Sequence, residues 1–91
     1  MAEIRIPTVL RPHVGGAASV RADGATVREV FDALSADYPS LRDHLITDEG
    51  TLHRFVNVYR NDDDVRYLDQ LDTTVAPTDV ISVLPAVAGG F

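Results

Sequence analysis

The chain contains no cysteine, which excludes disulfide bonds, thiolate nucleophiles and thiolate metal sites of its own. Any sulfur chemistry must therefore use an atom that is supplied from outside. Lysine is also absent, so all 8 basic residues are arginines. No side-chain amino group is available on which an isopeptide-linked chain could grow.

Positive charge is scarce, because the 8 arginines are outnumbered by 14 acidic residues and the formal net charge is −6. Nucleic acids and anionic membranes are bound by basic surfaces, so this balance argues against both as partners. It is compatible with a partner that has a basic docking surface. It is equally compatible with acidity that serves solubility alone.

Long apolar runs are missing as well. None approaches the roughly 20 residues that cross a bilayer, and residues 1–5, MAEIR, lack the basic and apolar regions of a signal peptide. We therefore expect a cytoplasmic protein. The length of 91 residues suits a single domain, and the apolar content of 45% argues against disorder.

The beginning of the chain predicts a β-hairpin. Apolar residues alternate with polar ones from Ile4, which predicts a strand that continues through residue 10. A bulge is expected at Pro7, because proline cannot donate to the ladder. Residues 12–16, PHVGG, form the expected turn, and a second strand follows over residues 17–22 with Val20 facing inward.

A helix follows the hairpin. Thr26 and Glu29 match a capping box, in which each side chain satisfies an exposed backbone donor at the helix start. Pro39 is expected to end the helix, and residues 40–46 to form a short turn whose two leucines pack against the sheet. Apolar residues at helical spacing form one stripe, which we interpret as core: Val27, Val30, Phe31 and Leu34.

The second half of the chain predicts further strands. Residues 52–60, LHRFVNVYR, are rich in β-branched and aromatic residues, which favours a strand. A turn at 61–63 is expected to lead to a brief return strand at 65–67. Leu68 and Leu71 are then expected to hold an irregular crossing in place.

The last predicted strand covers residues 80–84 and follows the turn residues at 77–79. If it pairs in parallel with the first strand at the centre of a mixed sheet, the connection keeps the usual right-handed crossover. The helix then covers one face of four or five strands. We therefore predict an α+β fold with a domain at 1–85 and a flexible C-terminal tail at 86–91.

Gly89 and Gly90 form a glycine pair directly before Phe91. Frayed chain ends collect glycine harmlessly, which is one interpretation of this pair. The other is chemical: a carboxyl group that must enter narrow channels on several enzymes needs a slender end, and glycine adopts a wide range of φ.

Other signals for chemistry are weak. His13, His44 and His53 lack the spacing and the carboxylate neighbours of a metal site. The acidic run at 62–64 lacks the glycine and the distal glutamate of a calcium loop. No serine has a positioned base or a nucleophile-elbow motif. We therefore expect a protein that is not an enzyme and has no metal of its own.

Four segments together resemble one known family: IPTVLRPHVGG (6–16), LHRFVNVY (52–59), NDDDVR (61–66) and LPAVAGG (84–90). They resemble the ubiquitin-like β-grasp sulfur carriers of the ThiS/MoaD family, and most of all the CysO-type carriers of cysteine biosynthesis. The last strand and tail are also similar to the small subunit of molybdopterin synthase and, more distantly, to the thiamin sulfur carrier. The resemblance implies a β-grasp fold.

The resemblance also implies that the carboxylate of Gly90 is itself the substrate. An E1-like enzyme, acting with ATP and magnesium, would convert it to an acyl-adenylate, and sulfur would displace AMP to leave a thiocarboxylate. For the CysO type, the implied acceptor is an aminoacrylate formed from O-phosphoserine on a synthase that depends on pyridoxal phosphate. Ala88 and Gly89 would give the tail access to each enzyme.

Phe91 departs from the family pattern. While it remains, Gly90 carries an amide instead of a carboxylate, so the atom that must be adenylated is blocked. The resemblance implies a proform whose Phe91 is removed by a JAMM-type zinc metalloprotease. The alternatives are a natural deviation that has abolished activity and an artificial extension.

Counting back from Gly90 against ubiquitin-like carriers places Ile81 and Val83 inward and leaves Leu84 exposed beside the tail. We therefore predict a docking patch, although isolated surface leucines are common. The predicted patch consists of Leu84, Pro85 and Val87.

Three related functions stay open: the small subunit of molybdopterin synthase, a sulfur carrier for secondary-metabolite biosynthesis, and a ubiquitin-like protein modifier.

Overall fold

A computed structural model describes residues 1–85, and its sheet has five strands. The strands are β1 (Ala2–Arg5), β2 (Ser19–Ala22), β3 (Val56–Arg60), β4 (Asp63–Asp64) and β5 (Val80–Pro85). Their order in the sheet is β2-β1-β5-β3-β4. β1 and β5 run parallel, and the other neighbours run antiparallel. The predicted central pairing of the first and last strands is therefore confirmed.

The main helix, α1 (Val27–Asp37), begins as predicted at Thr26. The Thr26 hydroxyl accepts from the Glu29 N–H at 3.2 Å, while the Glu29 carboxylate accepts from the Ala25 N–H at 3.0 Å, one residue before the cap. The predicted apolar stripe is buried. The helix ends just before Pro39, because a residue that precedes proline is pushed out of helical geometry.

A second helix, α2 (Pro39–Leu45), replaces the short turn that was predicted at 40–46. Proline is tolerated in the first turn of a helix, since its missing N–H would have no partner there. Leu41 and Leu45 are both buried, as expected from their spacing of one helical turn.

The prediction of a strand through residue 10 and a hairpin turn at 12–16 is wrong. The strand ends at Arg5, and Thr8–Val14 forms a 3₁₀ helix. Leu10 and Val14 enter the core while Pro12, which would share their face in a strand, is exposed, and Val9 is 66% exposed. Gly15 and Gly16 do take positive φ, at 67° and 85°, and return the chain towards β2.

The strand predicted over 52–60 forms only over Val56–Arg60. The predicted return strand at 65–67 is a 3₁₀ helix instead, and the return strand is Asp63–Asp64. The Asp64 carboxylate accepts from the Arg66 N–H at 2.9 Å and so caps that turn. Of the two leucines expected to hold the crossing, Leu71 is buried but Leu68 is 40% exposed.

The core lies between one face of the sheet and the helices, which is the arrangement of a ubiquitin-like β-grasp. Strand residues at alternate positions supply one side of it, and α1 and α2 supply the other. Val20 of β2 is partly buried against the core, as predicted. The division into a domain at 1–85 and a tail at 86–91 stays a prediction, because residues 86–91 lie outside the described part of the chain. Central core residues include Ile4, Phe31, Leu41, Val58 and Ile81.

Candidate docking surface and acyl terminus

β5 lies in the middle of the sheet. It pairs with β1 over residues 80–82 on one side and with β3 over residues 81–85 on the other. The described chain therefore ends, at Pro85, on a strand that is held by its partner β3. The remaining predicted site residues lie outside the described part of the chain: Val87, Ala88, Gly89, Gly90 and Phe91.

The side chains of β5 alternate as predicted. Ile81 and Val83 are buried in the core, whereas Leu84 is 47% exposed on the opposite face. Pro85 is also exposed, and it directly follows Leu84. The predicted orientation of the strand is confirmed, and the docking role of Leu84, Pro85 and Val87 stays a prediction.

Leu84 and Pro85 line an open groove of about 720 Å³. Its other wall is formed by Pro7, Thr8 and Val9, which precede and begin the first 3₁₀ helix. Sequence reasoning missed this wall, because residues 9 and 10 were assigned to a strand. Leu10 and Val14, four residues apart, share one side of a strand as well as of a helical turn, so their spacing alone does not distinguish the two.

A smaller cleft of about 210 Å³ lies beside Pro85 and is lined by His44, His53 and Phe55. The rings of His13 and His44 are 4.4 Å apart, and His13 Nδ1 lies 3.0 Å from the Ser40 hydroxyl. All three histidines thus lie near the end of β5, which their positions in the sequence did not predict. Within residues 1–85, no group of three or more His, Asp or Glu side chains is arranged to hold a metal ion.

Arg66 forms a hydrogen bond to β3, the strand that pairs with β5 at Leu84. Its guanidinium donates to the Asn57 side-chain oxygen and to the His53 carbonyl, both at 2.8 Å. Asn57 lies opposite Leu84 across the β3–β5 pair. Arg66 therefore fixes the loop before β3 to the part of the sheet where β5 ends, a role that nothing in the local sequence indicated.

Asp79 and Asn61 fix the other end of β5. The Asp79 carboxylate accepts from the Ala76 N–H at 2.8 Å and from the Asn61 side-chain amide at 3.1 Å. The Asn61 side-chain oxygen in turn accepts from the Val80 N–H at 3.0 Å. The hydrogen bond from Ala76, followed by the one from Asn61 and the charge of Arg60, holds the pKa of Asp79 below its ordinary value.

The acidic run at 62–64 does not form a cation loop. Asp63 and Asp64 are the two residues of β4, and the Asp64 carboxylate caps the following turn, so the run has a structural role. In the described part of the chain, no helix is long and apolar enough to cross a membrane.

Three comparisons place the chain among known proteins. It matches the model of the ThiS family over residues 4–90. It is 48% identical over 89 residues to sulfur carrier protein CysO of Mycobacterium tuberculosis, and the match covers 96% of each chain.

The fold is similar to a chain in the crystal structure of the Amycolatopsis orientalis BexX/CysO complex. The TM-score is 0.92 at 46% identity, and the match covers 99% of this chain and 100% of that one. Small archaeal modifier protein 3 of Haloferax volcanii is 43% identical over 68 residues, which cover 75% of this chain and 73% of the relative.

Proposed function

The chain belongs to the ThiS family, and from that premise we propose that it carries sulfur as a thiocarboxylate on Gly90. The observation that carries this proposal is the extent of the family match, which ends on Gly90 and leaves Phe91 outside. The central position of β5 supports it, because the strand leads the chain towards that terminus from a rigid sheet.

Activation would require no catalytic group from this chain. A carboxylate oxygen of Gly90 attacks the α-phosphate of ATP on an E1-like enzyme, where magnesium balances the charge, and pyrophosphate leaves. A sulfur nucleophile then adds to the acyl carbon and AMP departs. The sulfur has to come from the enzyme or from a donor, since this chain has no cysteine. Two relatives that match over nearly the whole chain are named sulfur carrier protein CysO and putative sulfur carrier protein, which supports a non-enzymatic role.

Processing must come first. Any residue that follows Gly90, here Phe91, turns the reacting carboxylate into an amide. We propose that a JAMM-type zinc metalloprotease removes Phe91 in the cytoplasm. The exposed Leu84 and Pro85, together with Val87, would dock the body of the carrier while the slender end of Ala88, Gly89 and Gly90 enters each active site.

The proposed acceptor is a cysteine synthase that depends on pyridoxal phosphate and on O-phosphoserine. The similarity to sulfur carrier protein CysO supports this choice over the small subunit of molybdopterin synthase and over secondary-metabolite pathways. A role as a protein modifier is the second candidate, because two relatives are named small archaeal modifier proteins.

Intact mass spectrometry tests the proposal. The chain ending at Gly90, incubated with its activating enzyme, ATP, magnesium and sulfide, is expected to gain the mass of sulfur in place of oxygen. The full chain with Phe91 serves as the matched control and is expected to stay unchanged. An unchanged mass for the trimmed chain, or equal loading of both chains, would contradict the proposal.

The second candidate has a different signature. A protein modifier leaves its own C-terminal tryptic peptide on lysine side chains of other proteins. Because Arg66 is the last basic residue of this chain, that remnant comprises residues 67–90. If the chain acts only as a sulfur carrier, a search for such remnants in its source cells is expected to find none that depend on Gly90.

A further inference from the structure

The face of the sheet that points away from the helices carries cations, although the whole chain is acidic. Arg5 lies opposite Ser82 of β5 on one side and Ser19 of β2 on the other. Residues paired across strands point to the same face, and Ser82 is two positions from Leu84, so Arg5 shares a face with Leu84. Arg21 lies on this face too, opposite Glu3. We call this surface, which contains Arg5, Arg21, Tyr59, Ser82 and Leu84, the open face.

Two more arginines border Leu84. Arg11 lines the same groove as Leu84, and its Nε donates to the Ile6 carbonyl at 3.1 Å. Arg66 lies on the other side, bound to Asn57, which is opposite Leu84. Both guanidiniums are held in place by these hydrogen bonds. The exposed leucine is thus flanked by fixed positive charges in two directions.

Carboxylates are few on this surface. Glu3 pairs with Arg5 at 3.2 Å, and Asp64 lies at the edge, opposite Tyr59. The helical layer shows the reverse balance: its arginines, Arg28 and Arg42, each form an ion pair with an aspartate at 3.4 Å. Acidic residues exceed these two arginines there, since α1 and α2 together carry Glu29, Asp32, Asp37 and Asp43.

We propose that the open face docks a protein surface with an apolar contact for Leu84 and Val9 that is bordered by carboxylates. The inference rests on the proposed function, in which this surface receives the activating enzyme. Charges separated by more than about 8 Å are largely screened at physiological ionic strength, so the local arginines outweigh the net charge of the chain at contact. The composition is compatible with a basic partner surface and with solubility alone, whereas the distribution of the charges favours an acidic partner surface.

Two double variants that change the net charge by the same amount test the proposal. Arg5→Gln with Arg21→Gln removes two exposed positive charges from the open face, and Arg28→Gln with Arg42→Gln removes two from the helical layer. The dissociation constant of each chain ending at Gly90 for the activating enzyme is measured from low to high sodium chloride. We expect the open-face pair to weaken binding about 10-fold at low salt, and the helical pair less than about twofold.

A variant that is expected to tighten binding distinguishes the proposal from a folding defect. Glu3→Gln removes the acid of the open face and is expected to tighten binding, which a misfolded chain cannot do. The differences between variants should shrink as salt rises. Equal effects of the two arginine pairs, or weaker binding by Glu3→Gln, would overturn the inference even if sulfur loading of the wild-type chain succeeds. Failure of loading in all chains, with the charge pattern in binding intact, would instead contradict the proposed function.

Discussion

At the scale of single residues, alternation along β5 decides which side chains are available to a partner. Ile81 and Val83 enter the core, and Leu84 is left 47% exposed. This could be predicted from the sequence, because the period of a strand is two and the inward residues are β-branched. The neighbours of Leu84 could not be predicted, since Val9, Arg5 and Asn57 come from distant parts of the chain.

Leu84→Asp tests the docking role of this residue. The change places a carboxylate at the apolar centre of the proposed contact, so we expect affinity for the activating enzyme to fall at least about 10-fold. The free energy of unfolding should change by about 1 kcal/mol or less, because the side chain is already exposed. Leu68→Asp is the matched control, since Leu68 is a 40% exposed leucine next to Leu71 and away from the groove. Comparable losses of affinity for both variants would exclude a specific role for Leu84.

At the scale of elements, the strands and helices with a clear period were predictable and the short irregular segments were not. The stripe on α1 and its cap at Thr26 follow from spacing alone. The segment Thr8–Val14 was misassigned, because Pro7 and the following apolar pair are compatible with an edge strand until the burial of Leu10 and Val14 is known. The 3₁₀ turn at Val65–Tyr67 depends on the Asp64 cap, a contact that a β-rich sequence does not reveal.

The start of β5 gives a pH-dependent prediction. The pKa of Asp79 is lowered in the folded chain, chiefly by the hydrogen bond from Ala76. A lowered pKa means that the stabilisation is present above the pKa of the unfolded chain and is lost as pH falls through the folded value. We therefore expect the melting temperature to fall below about pH 4, and Asp79→Asn to lose part of that dependence.

The control for this experiment is Asp48→Asn, in the exposed loop after α2. Thermal unfolding followed by circular dichroism from neutral to acidic pH measures both variants. If Asp79→Asn and wild type show the same loss of stability in acid, the hydrogen bonds at the start of β5 do not contribute in the way described.

At the scale of the whole molecule, charged residues are distributed unevenly between the helical layer and the open face. The two helices carry twice as many acidic residues as arginines, and the open face beside the end of β5 carries arginines around an exposed leucine. The fold class and the pairing of the central strands could be predicted, since they rest on periodicity and on motifs that are contiguous in sequence. The site at Gly90 stays a prediction. The charge pattern could not be predicted, because it depends on which strands become neighbours.

The central claim is that this body presents Gly90 as a reactive acyl terminus, and one measurement addresses it directly. The protein is isolated from its source cells under conditions that preserve thioacids, and its intact mass and C-terminal peptide are determined. The account predicts a population that lacks Phe91 and carries sulfur at the carboxyl group of Gly90. A protein that keeps Phe91 throughout, in cells where its pathway is active, would contradict the account.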